Sequence, residues 1–156
     1  MTHRSTTITA PKDLLTMAGE DLGSSPWLDV SQQRIDTFAD ATDDHQWIHV
    51  DVERAKTGPF GGPIAHGYLT LSLLIPLWSQ ILLIEDMDMA VNYGLNKVRF
   101  PAPVPAGARV RVTARLVDAE EVAGGGIQAT IDAVMEADGV TKPVCIAQMV
   151  HRYYKD

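Results

Sequence analysis

The stretch Phe60–Ile84, FGGPIAHGYLTLSLLIPLWSQILLI, decides how this chain is built. It opens on a turn signal, Gly61-Gly62-Pro63, and passes through His66-Gly67. It then runs for the length of a helix with Leu69, Leu71, Leu73, Leu74, Ile75, Leu77, Trp78, Ile81, Leu82 and Leu83. A helix that is apolar on every face is enclosed either by its own domain or by lipid. A lipid span needs about 20 nearly uninterrupted apolar residues with basic anchors at its ends. Here Ser72, Pro76, Ser79 and Gln80 interrupt the run, and Glu85 and Asp86 follow it. The stretch therefore predicts a long central helix buried within a sheet. Pro76 bends or restarts it, because an interior proline removes one backbone hydrogen bond and crowds the preceding turn.

The sheet comes from the C-terminal half. From Arg109 to Leu116, Val110, Val112, Ala114 and Leu116 alternate with Arg109, Arg111, Thr113 and Arg115. Ile127, Ala129, Ile131, Ala133 and Met135 alternate with polar residues in the same way, Asp138-Gly139 is a hairpin signal, and Val144–Tyr153 reads as a last strand. Leu95–Phe100 supplies another, closed by the Pro101/Pro103/Pro105 loop. Period-two alternation gives one wet face and one dry face, and the apolar helix is the large element able to cover the dry one. The class is α+β, an antiparallel sheet wrapped around a long central helix.

The N-terminal part is shorter-grained. Residues 1–10 are polar and read as a flexible leader, followed by a short helix over Pro11–Met17 and a turn at Ser24-Ser25-Pro26. Trp27–Val30 reads as extended. Ser31 caps a helix running to about Ala41, and Asp51 caps a brief one to Lys56. The segment between them, Asp43-Asp44-His45-Gln46-Trp47-Ile48-His49, is too polar for a core element and too aromatic for a plain linker.

With 156 residues, 46% of them apolar and 21% charged, the chain suits one domain over 1–156. A net charge of −7 offers no basic stripe for nucleic-acid phosphates. Cys145 is the only cysteine, which rules out an internal disulfide. The first residues, MTHRSTTITAPKD, lack the apolar core of a signal peptide, so the expected location is the cytoplasm, away from any membrane.

Polar groups gather around the apolar helix. Asp44 and His49 stand five residues apart, close enough for a carboxylate and an imidazole to converge on one small molecule. An aspartate and a histidine in a loop are also ordinary turn and cap residues. Gly67, at the start of the helix, offers backbone N–H groups to an anion or a polarised carbonyl. His45 and His49 have the H-x-x-x-H spacing of a zinc helix, but Gln46 stands where the general-base glutamate belongs, so no metal is expected. Ser72 lies outside any G-x-S-x-G elbow, and neither a dinucleotide fingerprint nor a Walker loop is present.

The segment FADATDDHQWIHVDVERAKTGPFGGPIAHGYLTLS resembles the hydratase motif of the MaoC-like dehydratases, a family that includes the (R)-specific enoyl-CoA hydratases. LNKVRFPAPVPAGARVRV resembles the strand and proline loop that follow, so the resemblance covers most of the chain from Trp27 onward. Gln46-Trp47 replaces the family's frequent Asn-Pro, a variant similar to a NodN-like branch.

The resemblance implies a hotdog fold and a homodimer. It implies reversible syn hydration of trans-2-enoyl thioesters to (R)-3-hydroxyacyl thioesters. Asp44 and His49 fall on the family's catalytic pair, with their base and acid roles open. Gly67 is implied to polarise the thioester carbonyl. Ser72 is either an orienting residue or a helix serine bonded to its own backbone. Lys97, Arg99, Arg109 and Arg111 are candidates for the phosphates of coenzyme A, or a solvated strand face. His66 reads as a structural turn residue and Asp51 as a cap. No resident cofactor is implied; coenzyme A or acyl carrier protein is part of the substrate. The competing readings are a hotdog thioesterase and a non-catalytic acyl-thioester-binding subunit.

Overall fold

A computed structural model describes residues 2–155. Its main sheet has the strand order β2-β6-β7-β8-β5, with β3 also paired to β6, and every pairing in it is antiparallel. These strands are β2 (Asp21–Ser24), β3 (Leu28–Asp29), β5 (Met89–Arg99), β6 (Arg109–Val122), β7 (Gly126–Ala137) and β8 (Cys145–Tyr154). The alternation read from sequence sets which residues go inside. Val110, Val112, Ala114 and Leu116 of β6 and Ile127, Ala129, Ile131, Ala133 and Met135 of β7 are all buried. They pack on Leu69, Leu73, Leu74, Leu77, Trp78 and Ile81.

The central helix is shorter than expected, and broken. It consists of α4 (Gly67–Ser72) and α5 (Leu74–Trp78), joined at Leu73. Pro76 explains the position of the break. Its nitrogen has no hydrogen for the carbonyl of Ser72, four residues back, so the ladder lapses there and restarts with the proline in the first turn of α5. Tight bonds from the amides of Gln80 and Ile81 to Leu77 and Trp78 then end the helix. Leu82–Ile84, expected to be helical, is strand β4, paired in parallel with β1 (Thr6–Ile8). The polar leader is thus held in place: Thr6–Ile8 pairs with β4, and Arg4 forms a bridge with Ser24. Met1 of that leader lies outside the described residues. Nor is the helix dry all round. Leu69, Leu73, Leu74, Leu77 and Trp78 are buried, while Tyr68, Ser72, Ile75 and Pro76 face outward.

The shorter elements position the polar residues. Pro11–Thr16 is a 3₁₀ turn. Helix α1 (Gln32–Thr42) starts at Ser31, whose hydroxyl accepts the amide of Arg34, and buries Ile35 and Ala39. It ends at Asp43 in the left-handed conformation (φ 59°), which turns the chain sharply ahead of Asp44. Helix α2 (Trp47–Val50) carries His49, and α3 (Val52–Lys56) is capped by Asp51, as expected.

Strand β5 is the exception to the buried pattern. It closes one end of the sheet with only Val98 partly covered, and leaves Met89, Val91, Tyr93 and Leu95 exposed. No helix among the described residues is long and apolar enough to cross a membrane.

Leu74 is 1% exposed under the sheet. Leu74→Ala should cost about 2–5 kcal/mol of folding stability, and Leu74→Asp should prevent folding, because its carboxylate has no partner there. Denaturant unfolding checks both; an aspartate variant with a normal transition shows that the helix is not enclosed.

Candidate active site

Four chain segments meet at the foot of α4. The turn after α1 brings Asp44, α2 brings His49, the Ile64–Ala65–His66 segment leads into α4, and Phe100 arrives at the end of β5. Backbone hydrogen bonds fix the meeting point: the amide of Ile64 donates to the carbonyl of Ile48 (3.0 Å) and that of Ala65 to Val104 (2.8 Å). The ring of Phe100 lies against Gly67, where a Cβ atom would come within 3.2 Å of it. The side chain of His66 does not cap α4, which leaves the opening amides of that helix without a side-chain acceptor.

The two imidazoles are fixed by carbonyl oxygens. His49, 6% exposed, donates from Nδ1 to the carbonyl of Ile64 at 2.7 Å. A carbonyl only accepts, so the proton sits on Nδ1 and the lone pair of Nε2 is bare. His66, 2% exposed, donates from Nε2 to the main-chain carbonyl of Asp44 at 2.9 Å, which leaves its Nδ1 bare and without a partner. The two rings stack at 3.9 Å with 26° between their planes, and Phe38 packs on His66 from another side. Burial lowers the pKa of His49 from the ordinary imidazole value; the bond to Ile64 and the charge of Asp44 oppose that, and the neighbouring His66 adds to it. His49 is therefore a neutral base at pH 7.

Asp44 is exposed, and its carboxylate accepts a long bond from the amide of Gln46 (3.4 Å). One carboxylate oxygen of Asp44 and one ring nitrogen from each of His49 and His66 lie within 4.8 Å of one another. The other half of the H-x-x-x-H pair, His45, is exposed and bound to Asp40 instead. The three clustered side chains have the chemistry of metal ligands, but each imidazole has already committed one nitrogen to a carbonyl. The Nδ1 of His66 is buried, so what remains for a ligand is the bare Nε2 of His49 and the carboxylate of Asp44, two acceptors suited to the two protons of a water molecule.

The structure brings Asp44, His49 and Gly67 into one neighbourhood and adds His66, which the sequence reads as a structural turn residue, and Phe100, which the sequence reading left out. Ser72 goes elsewhere. Its hydroxyl donates to the carbonyl of Tyr68 at 2.8 Å, the local bond of a helix serine. It lines a separate 410 Å³ cavity with Leu71, Ile75, Leu95 and His151. Lys97 and Arg99 are exposed on β5, just before Phe100, and Arg99 donates to the carbonyl of Val98. Arg109 and Arg111 are paired with Asp138 and Glu136, and both lie over the ring of Trp27. Trp47, half of the Gln-Trp variant, lies under the guanidinium of Arg54 and against Gly58.

A family profile for the MaoC-like domain matches residues 13–137. The chain belongs to the MaoC-like dehydratase family. Among its relatives in that family is 3-hydroxyacyl-thioester dehydratase Z of Mycobacterium tuberculosis, 52% identical over 141 residues that span 90% of this chain and 93% of the relative. Nodulation protein N of Rhizobium leguminosarum is 42% identical over 140 residues, 88% of this chain and 87% of that one. The solved (R)-hydratase from A. caviae superposes with a TM-score of 0.67 at 22% identity, covering 86% of this chain and 94% of that chain, a likeness of fold. The fold is the hotdog fold of the MaoC-like proteins.

His151, 5% exposed in the second cavity, is pushed by burial down to about 4. Its folded pKa is depressed, so the unfolded chain takes up a proton below about pH 6.5 that the folded chain refuses. Stability should be complete above pH 6.5 and fall as pH drops towards 4, by an amount on the order of 3 kcal/mol from this group. Unfolding free energies measured between pH 7 and 4 should show a shallower decline in His151→Phe; an unchanged slope means His151 is not the group titrating.

Proposed function

We propose that this protein catalyses the reversible, (R)-specific hydration of trans-2-enoyl thioesters to 3-hydroxyacyl thioesters. The observation that carries this reading is the clustering of neutral His49, whose Nδ1 is tied to Ile64 and whose Nε2 is bare, with the Asp44 carboxylate at the foot of α4, a ring nitrogen and a carboxylate oxygen lying within 4.8 Å. The extensive identity with a relative named as a 3-hydroxyacyl-thioester dehydratase supports it. One water sits between the pair. Its oxygen bonds to the β-carbon as His49 takes one of its protons, and the carbon–carbon π electrons move towards the thioester carbonyl. The backbone N–H of Gly67 receives the charge that develops on that oxygen. The pair then returns one proton to the α-carbon, so the sum is the addition of one water. Asp44 and His49 share these transfers.

The reaction needs no resident metal or redox group; coenzyme A or acyl carrier protein enters as part of the substrate. Lys97 and Arg99, exposed on β5 beside Phe100, are the cations we assign to the carrier's phosphates. Arg109 and Arg111 already hold carboxylates. The terminal position of β5 in the sheet, with Met89, Val91, Tyr93 and Leu95 exposed, supports a homodimer, because the outer edge of an apolar end strand is a template for another copy. Light scattering at micromolar concentration should give the mass of two chains; the mass of one contradicts this assembly.

Asp44→Asn and His49→Gln should each lower the hydration rate of an enoyl-CoA by about 10²–10⁴-fold, or roughly 3–5 kcal/mol of barrier. The double variant should lose little more than either single one, since the two act on one water. A folded single variant with near-normal rate sinks the assignment, and losses that multiply mean that the two do not share a water.

A further inference from the structure

His66 has no part in the proton transfers above, yet it is among the most enclosed polar side chains of the molecule, 2% exposed. Its Nδ1 is buried with no partner. An unsatisfied buried acceptor of this kind is destabilising, and an apolar ring of the same shape avoids that cost. The histidine does one thing such a ring cannot: its Nε2–H reaches across 22 residues of chain to the main-chain carbonyl of Asp44, at 2.9 Å.

Little else holds Asp44. The residue is exposed and follows the left-handed turn at Asp43, and its carboxylate is met by one long bond from Gln46. His49, in contrast, is gripped at three points: its ring by Ile64, its carbonyl by the side chain of Gln32 at 2.7 Å, and its amide by the carbonyl of Gln46 at 2.9 Å. The ring of His66 is itself clamped between His49 and Phe38, at centroid distances of 3.9 and 4.8 Å. A rigid ring that touches the His49 ring and also holds the backbone of Asp44 sets the separation of the two.

We infer that His66 is a positioning residue: its Nε2–H ties the Asp44 backbone so that the carboxylate stands at working distance from His49. The inference rests on the hydration reading above for what the pair does, and on geometry alone for the tie. A misplacement of about 1 Å in a reacting group can cost roughly 100-fold in rate.

The test compares His66→Phe, which keeps the ring and removes the donor, with His66→Gln, which keeps a donor near the place of Nε2. Wild type and both variants are assayed for enoyl-CoA hydration, thermal unfolding and the NMR signals of the histidine rings. In wild type, the His66 ring should carry its proton on Nε2, seen as a slowly exchanging resonance. His66→Phe should lower kcat by about 10–100-fold, leave KM within a few-fold, and unfold no earlier than wild type. His66→Gln should recover at least part of kcat. A normal kcat in His66→Phe, a loss confined to KM, or His66→Gln no better than His66→Phe overturns the inference. If a phenylalanine variant fails to fold, His66→Gln against His66→Leu makes the same comparison. Wild type without hydration activity defeats the proposed reaction but not the tie, which the Nε2 proton reports by itself; a proton found on Nδ1 defeats the tie whatever the activity.

Discussion

The backbone of Ile64 is bonded at both ends, and the site depends on it. Its amide donates to Ile48, one residue before His49, and its carbonyl takes the Nδ1 proton of His49. The first bond brings α2 against the segment that enters α4. The second decides which ring nitrogen is bare. Without the carbonyl, a buried imidazole of lowered pKa could hold its proton on either nitrogen. With it, the lone pair belongs to Nε2. The apolar core beneath, from Leu69 to Ile81 under β6 and β7, holds that segment still enough for a 2.7 Å bond to matter.

Much of this was legible in the residues. The alternation of β6 and β7 names their buried faces position by position, because the side-chain period of a strand is two and a shift of one residue would turn the whole row outward. Ser31 and Asp51 announce their helices by the amides they cap. The central helix was less legible. Its run of leucines and isoleucines fits a helix and a strand equally well, and a long apolar run carries no mark of where one gives way to the other. What ends α5 at Trp78 and makes Leu82–Ile84 a strand is a distant partner, Thr6–Ile8, in a stretch whose threonines look like a loose leader until they find an edge to pair with.

At the site, the spacing of Asp44 and His49 and the glycine at the helix start could be read directly. The role of His66 could not, since Gly-Pro-Ile-Ala-His-Gly has the composition of a turn whether or not the imidazole reaches back across 22 residues. Phe100 was hidden for the same reason: its contact with Gly67 joins the end of β5 to the start of α4, far apart in sequence. The i, i+4 bond of Ser72 to Tyr68, by contrast, was the local alternative already visible in the sequence. Local hydrogen bonds and periodic burial are written in neighbouring residues; the contacts that assemble a site are not.

The central claim is that one water, held by Asp44 and His49, adds across a conjugated double bond with defined handedness. It is tested most directly by incubating the protein with a trans-2-enoyl-CoA in D₂O and resolving the product by chiral chromatography and NMR. The account predicts the (R)-3-hydroxyacyl-CoA, with a single deuterium at the α-carbon on the same face as the new hydroxyl. The (S) product, deuterium on the opposite face, or release of free coenzyme A in place of hydration would contradict it.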